Sequence, residues 1–307
     1  MPENVEVAII AQYLLEKLKK YKLTSMMVLS GRYTHGALEG DDLLTLNGPF
    51  KISDINSKGK FMWFTLLNNK KSDIFIMNTL GLTGEWGFEK GISTRIAFTF
   101  VHSNGREKTL YYSDQRNFGT IKITSDINDL MKKTNKLAPD ALKTKFTDEE
   151  FYNETLEFIN KYPKQKNKEI VKILMEQDVG KGILSGIGNY LSADILNFAQ
   201  ISPHRKLNSL SEDEIYDLGH AIKYTTKLAY YNNTTGYMQT MLNYVEKHRN
   251  DILDKKLPNY HSDIKLQKNA IFSFRVYQQD HDPDGNPVIG EEIIKGRRTY
   301  WAPLSQH

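Results

Sequence analysis

No cysteine occurs anywhere in the 307 residues. That absence removes disulfides, thiolate nucleophiles, iron–sulfur clusters and cysteine zinc sites together. A metal site would have to be built from His and carboxylates, yet the eight His are scattered and no H-E-x-x-H occurs. Long apolar runs and a signal-type apolar segment are missing too, which points to a soluble intracellular protein with no membrane partner. Extremes of charge are also lacking: 41 Lys and Arg stand against 37 Asp and Glu, a net charge of +4. Such a balance permits a polyanionic partner without requiring one. The length is about twice that of a typical domain, so two domains, or two and a small appendage, are expected.

What is present falls into three stretches. Val7, Ile10, Leu14, Leu18 and Tyr21 recur at helical spacing and predict an amphipathic helix over residues 3–20, with Glu3 and Glu6 in its acidic first turn. Pro2 suits the start of such a helix. In GKFMWFTL, DIFIMNTL, RIAFTFVHSNGREKTLYYSD and GTIKITS, β-branched and aromatic residues alternate, and Asn104-Gly105 is a hairpin signal. A mostly antiparallel β-domain, residues 1–135, follows from this pattern. After Pro139 the pattern turns helical, with capping boxes at Thr147–Glu150 and Ser211–Glu214, and a helical domain is expected over 136–260. The last stretch, 261–307, reads as strands again, FSFRVY and EEIIKGRRTYW joined by a polar turn.

Five motifs bear on chemistry. The glycine-rich DVGKGILSGIG matches neither a Walker loop nor the dinucleotide fingerprint. Glycines before a helix starting near Asn189 either form a tight inter-helix turn or leave N–H groups free for a phosphate, with Lys181 alongside; both readings stand. DHDPDGNPVIGEE fits a calcium-loop pattern through Asp280, Asp282, Asp284 and Glu291, but the neighbouring Phe272, Phe274 and Val276 alternate as a strand, so a hairpin turn is the reading taken. In SDQRNFG, Arg116 and Phe118 are either a wedge for stacked bases or a surface Arg beside a buried Phe. Lys295, Arg297 and Arg298 crowd KGRRTYW, which suits phosphate contact or a solvated strand edge, and Lys60 opens a strand in SKGKF.

The order of these segments resembles the formamidopyrimidine-DNA glycosylase and endonuclease VIII family across nearly the whole chain. MPENVEV is similar to the family's P-E-x-P-E-V start, with Val5 in place of the second proline. SKGKF resembles its lysine strand, LGLTGEW its L-G-M-[ST]-G, and SDQRNFG its D-x-R-R-F-G with Asn117 at the second arginine. ILMEQDVGKGILSGIGNYLSADILNFAQISPHR resembles the helix-two-turn-helix signature, with Asp194 in place of the usual glutamate. GRRTYWAPLSQ resembles the terminal finger, but Ala302 and Ser305 occupy its two cysteine positions and the earlier cysteine pair is missing.

The resemblance implies an α+β multi-domain fold: an N-terminal β-sandwich with an N-terminal helix, a helical domain with a helix-two-turn-helix motif, and a zincless-finger β-hairpin. It implies a glycosylase and lyase that takes damaged double-stranded or single-stranded DNA, as a monomer without metal or cofactor. Pro2, Glu3, Lys60 and Glu6 become the catalytic residues, Asn189, Arg297, Lys181 and Arg298 the DNA-binding ones. Leu82, Arg116 and Phe118 would fill the void left by an extruded nucleotide. Zincless members typified by the vertebrate Nei-like enzymes place such a protein in a nucleus, a viral replication compartment or the cytoplasm. The richness in Lys, Asn and Ile fits an AT-rich genome such as that of a large DNA virus. Two other classes compete: a DNA-binding protein of the same fold without turnover, and a calcium-binding module resting on residues 280–291.

Overall fold

The computed structural model of the protein describes residues 2–36, 38–68, 71–232 and 258–307. The end of the helical stretch, residues 233–257, lies outside the described residues. The chain divides into two compact units: Met1–Pro2 with Glu6–Asn135, and Glu3–Val5 with Lys136–His307.

Helix α1, Asn4–Leu18, forms where its spacing predicts, but it is not amphipathic throughout. Residues 2–11 are all buried, Glu3, Asn4 and Glu6 among them, and only the last turns reach solvent, at Lys17. A helix covered on all sides belongs to a core, and its polar residues need partners.

The first unit carries β1 (Tyr21–Val28), β2 (Phe50–Lys58), β3 (Phe61–Asn68), β4 (Lys71–Thr79), β5 (Gly84–Gly87), β6 (Thr94–His102), β7 (Glu107–Asp114) and β8 (Thr120–Thr124). Two helices, α2 (Asp41–Asn47) and α3 (Ile127–Lys136), accompany them. All eight strands join in one antiparallel sheet of order β5-β7-β6-β1-β2-β3-β4-β8. Its halves meet only where Lys22 and Leu23 of β1 face Lys51 and Phe50 of β2. Trp86 of β5 nevertheless packs on Phe64 of β3 at 5.2 Å, and its indole donates to Asn78 Oδ1 of β4 at 3.0 Å. Strands remote in the hydrogen-bonded order thus touch through their side chains. The sheet folds over itself, and the expected sandwich is one sheet doubled around Trp86, Phe98 and Tyr112.

The second unit contains α4 (Asp148–Lys161), α5 (Ile170–Met175), α6 (Asn189–Phe198) and α7 (Glu212–Asn232). Both capping boxes form: Thr147 Oγ1 accepts from Glu150 N–H while Glu150 accepts from Thr147 N–H, and Ser211 and Glu214 repeat the exchange. Strands β9 (Ile289–Ile294) and β10 (Arg297–Trp301) pair as an antiparallel hairpin around Gly296, whose φ is +74°.

FSFRVY is not a strand. The N–H groups of Arg275, Val276 and Tyr277 all converge on Asp194 Oδ1, at 3.1, 3.1 and 3.3 Å. Successive N–H groups of a strand point to opposite edges, so three on one oxygen require a turn. The hairpin consequently lies within IGEEIIKGRRTYW, residues 289–301.

Candidate functional site

The glycine-rich loop before α6 holds the chain's own first residues. Gly186 has φ +107°, and a Cβ there would lie 2.4 Å from Asn4 Cβ, so only glycine admits Asn4. Asn4 N–H donates to Gly186 O at 3.1 Å and its side-chain amide to Asp140 Oδ1 at 3.3 Å. Glu3 goes further. Its Oε2 accepts the N–H of Gly188 at 2.6 Å and of Leu191 at 3.4 Å, and its Oε1 that of Tyr190 at 3.0 Å. A glycine N-cap supplies no side chain of its own, so Glu3 supplies the acceptor that the first turn of α6 needs. These N–H groups are therefore not free for phosphate. The phosphate-clamp reading of the loop is corrected for Gly188, Tyr190 and Leu191, which bind a carboxylate instead.

Asn189 sits between those capped residues, and its side-chain amide donates to Arg298 O on β10 at 3.0 Å. Sequence positions 3, 189 and 298 thus meet at one end of α6. Arg297 and Arg298 are exposed on the same hairpin. Lys181 does not join this group directly: its ammonium pairs with Asp178 at 3.6 Å on an exposed turn. Such a pair contributes little and breaks easily.

The metal-like positions are filled by ordinary packing. Ala302 is fully buried against Ala193 and Val276, with Tyr277 and Val288 beside them. Ser305 Oγ donates to Asp282 Oδ2 at 2.7 Å, while Asp282 Oδ1 accepts the N–H groups of Asp284 and Asn286. Burial pushes the Asp282 carboxyl up, but these donors outweigh it and hold the group down at about 2. Asp282 is thus committed to a turn, and Glu291 of the calcium-like pattern accepts from Trp301 and meets His204 instead. Among the described residues no cluster of three or more His, Asp or Glu could hold a metal.

In the first unit Lys60 is half-buried in the two-residue turn between β2 and β3, after Gly59 with φ +54°. Lys58 Nζ donates to Thr134 O at 2.9 Å and fixes that hairpin to α3. Pro2 and Glu6 are buried. The three void-filling candidates come from two touching loops. Arg116 N–H donates to Thr83 Oγ1 at 2.9 Å, and a Cβ on Gly81 would lie 2.8 Å from Gly119 N, so Leu82 is flanked on both sides by the Arg116–Gly119 loop. Phe118 is 58 % exposed and carries the Arg116 guanidinium over its ring at 5.0 Å. The buried-Phe alternative is therefore wrong. Asn117 between them adopts φ +58°, a left-handed backbone that asparagine tolerates better than most residues.

Asp194 is the residue whose part was missed. It is fully buried on α6 and holds the 275–277 turn, and burial, opposed by the three N–H donors and Arg275, pushes its carboxyl up to about 6. An acidic residue within an otherwise apolar helix face, YLSADILNF, was the available signal.

Residues 1–121 match the formamidopyrimidine-DNA glycosylase N-terminal domain and residues 262–307 its C-terminal domain, together more than half of the chain. The formamidopyrimidine-DNA glycosylase of Corynebacterium glutamicum (strain R) is 25% identical over 233 residues, covering 73% of this chain and 76% of its own. Endonuclease 8 of Pectobacterium carotovorum subsp. carotovorum (strain PC1) is 26% identical over 173 residues, 56% of this chain and 52% of that relative. A solved complex of wild-type Lactococcus lactis Fpg with DNA containing an oxidized pyrimidine is similar at a TM-score of 0.71 and 20% identity, covering 100% of both chains. That likeness is one of fold.

Proposed function

The chain belongs to the formamidopyrimidine-DNA glycosylase family, and on that premise we propose that it is a bifunctional DNA glycosylase and abasic-site lyase acting on oxidised bases in DNA. The observation that carries this reading is the Glu3 carboxylate on the first turn of α6, which ties the residue after Pro2 to the helix bearing Asn189.

Once Met1 is removed, Pro2 carries a secondary amine. An α-amino group titrates near 7.7 to 8.0, so a useful fraction is neutral near physiological pH, whereas a lysine stays mostly protonated. The amine attacks C1′ of the damaged nucleotide, and the base departs and takes a proton from water. The Glu3 carboxylate, held by its three N–H donors, accepts the proton of the attacking amine and passes it to the ring oxygen of the opening sugar. The resulting iminium acidifies the 2′ proton, whose removal expels the 3′ phosphate. A second elimination expels the 5′ phosphate and releases the sugar remnant, and water then frees Pro2. Glu6 supports the amine from the first turn of α1.

The nucleotide must first leave the stack, at a cost of about a few kcal/mol. Leu82, Arg116 and Phe118, gathered on adjoining loops, fill the gap and offset that cost. Lys60, Asn189, Arg297, Arg298 and Lys181 bind phosphates, so affinity falls steeply with salt. Lys181 must exchange Asp178 for a phosphate to take part. The hairpin does this without metal, because Ala302 and Ser305 stand where the family's finger has cysteines. Oxidised pyrimidines and ring-opened purines are the proposed lesions, duplex DNA the proposed substrate, and a monomer the acting form.

Incubation with duplex DNA carrying one oxidised pyrimidine tests this reading. Strand cleavage leaving phosphate at both ends of a one-nucleotide gap is expected. Binding with no base release, by protein whose terminus is Pro2, would leave a DNA-binding protein without turnover.

A further inference from the structure

Arg297 opens β10 immediately after the turn at Gly296, with its side chain exposed. Two strands alone would not fix that tip, because an isolated hairpin is marginally stable in water. The other end of the hairpin is tied through a single oxygen. Glu291 Oε1 lies 2.7 Å from His204 Nε2 and also accepts the indole N–H of Trp301. The His204 and Trp301 rings meet edge-on at 5.3 Å, which closes a three-residue cluster.

His204 is not part of the hairpin. It belongs to the connection between α6 and α7, which is itself rigidly held: Arg205 reaches both oxygens of Glu214 at 2.7 and 2.9 Å. Ser202 N–H donates to His307 O at 2.9 Å in the same place. Glu291 faces Thr299 across the ladder, and Thr299 is two residues, roughly 7 Å of strand, from Arg297. On the far side of β10, Asn189 holds the carbonyl of Arg298. The strand is thus held at Arg298 and again at Trp301, and Arg297 stands one residue beyond the first anchor, at the turn.

We propose that Glu291 is a positioning residue for Arg297. By joining Trp301 to His204 it fixes the direction in which β10 leaves the α6–α7 connection, and so the place where the guanidinium meets a DNA phosphate. The inference rests on the glycosylase reading above, in which Arg297 grips the backbone. Burial raises the Glu291 carboxyl, but the hydrogen bonds from His204 and Trp301 outweigh it and hold the group below its ordinary range. The side chains of His204 and Glu291 are 46% and 38% exposed, so solvent screens the pair and its contribution to stability is small. Its effect is on geometry, and a purely structural role would show the reverse: a lower Tm with unaltered binding.

Four variants, Glu291→Ala, Glu291→Gln, Arg297→Ala and Glu291→Ala with Arg297→Ala, are compared on duplex DNA containing a tetrahydrofuran abasic-site analogue, alongside single-turnover cleavage at saturating lesion DNA. Glu291→Ala is expected to bind about 5- to 10-fold more weakly with an unchanged saturated rate and nearly unchanged Tm. Glutamine keeps an acceptor oxygen and restores binding. Arg297→Ala costs less affinity in the Glu291→Ala background than alone, since coupled residues are not additive. Unaltered affinity in Glu291→Ala, or full additivity with Arg297→Ala, overturns the proposal. Wild-type protein that binds no abasic duplex overturns the glycosylase reading itself. In that case amide hydrogen exchange of the free protein decides the cluster alone: faster exchange at Thr299 and Trp301 in Glu291→Ala supports it, and unchanged exchange removes it.

Discussion

Glu3 and Gly188, 185 positions apart, are joined by a 2.6 Å hydrogen bond from the Gly188 N–H to the Glu3 carboxylate. The same carboxylate receives Tyr190 and Leu191, so one side chain caps a helix that begins far away in sequence. Replacing Glu3 by Ala leaves buried donors unsatisfied, at a cost of about 1–3 kcal/mol. Glu3→Gln keeps one acceptor oxygen and is expected to retain most of that stability while losing base release. Denaturant titrations set beside single-turnover assays of both variants separate cap from chemistry; equal stability losses in the two would remove the distinction.

Asp194 gives the fold a pH dependence of definite sign. Its carboxyl is raised to about 6, above the value of about 3.9 in an unfolded chain, so the folded state binds the extra proton between those values. The contribution of Asp194 to stability is therefore greatest below pH about 4 and declines as pH rises through about 6. Asp194→Asn accepts the same three N–H groups without titrating. Urea midpoints of wild type and this variant, measured from pH 4 to 8, are expected to diverge as pH rises, with the variant the less pH-sensitive.

Phe118 and Arg116 are exposed, and their truncation should leave stability within about 0.5 kcal/mol. Excision from duplex DNA should nevertheless fall by about tenfold or more, because the gap left by extrusion goes unfilled. A single-stranded substrate, with less stacking to replace, should be affected less. Paired rate measurements on duplex and single strand give the comparison.

Asp282 organises the turn that Ser305 completes. A chelator is expected to change neither Tm nor cleavage, whereas Asp282→Ala should lower both DNA affinity and Tm. Thermal melts and binding curves with and without chelator check the pair of outcomes. Loss of activity on chelation, restored by zinc, would contradict the reading of the hairpin.

Elements with local signals were legible in the sequence. The Thr147 and Ser211 boxes and the Asn104-Gly105 turn depend on residues within a few positions of each other, and each formed as spaced. Phe272, Phe274 and Val276 alternate as a strand would, yet the deciding acceptor, Asp194, lies about eighty positions away. The glycine-rich loop stood open between a turn and a phosphate clamp for the same reason. Its geometry is that of an anion site, but the anion is Glu3, and no local pattern connects residue 3 to residue 188. The hairpin arginines were legible as exposed side chains, whereas Phe118 stood open between an exposed wedge and a buried ring, and the His204–Glu291–Trp301 cluster behind Arg297 left no local signal.

The account stands or falls on the amine of Pro2. Protein whose terminus is verified by mass as Pro2 is incubated with duplex DNA bearing an abasic site, and borohydride is added. The account predicts a covalent protein–DNA adduct at residue 2, absent from Pro2→Gly and from protein retaining Met1, but still formed by Lys60→Ala. No adduct from the wild type, or an adduct that persists in Pro2→Gly and disappears in Lys60→Ala, would contradict it.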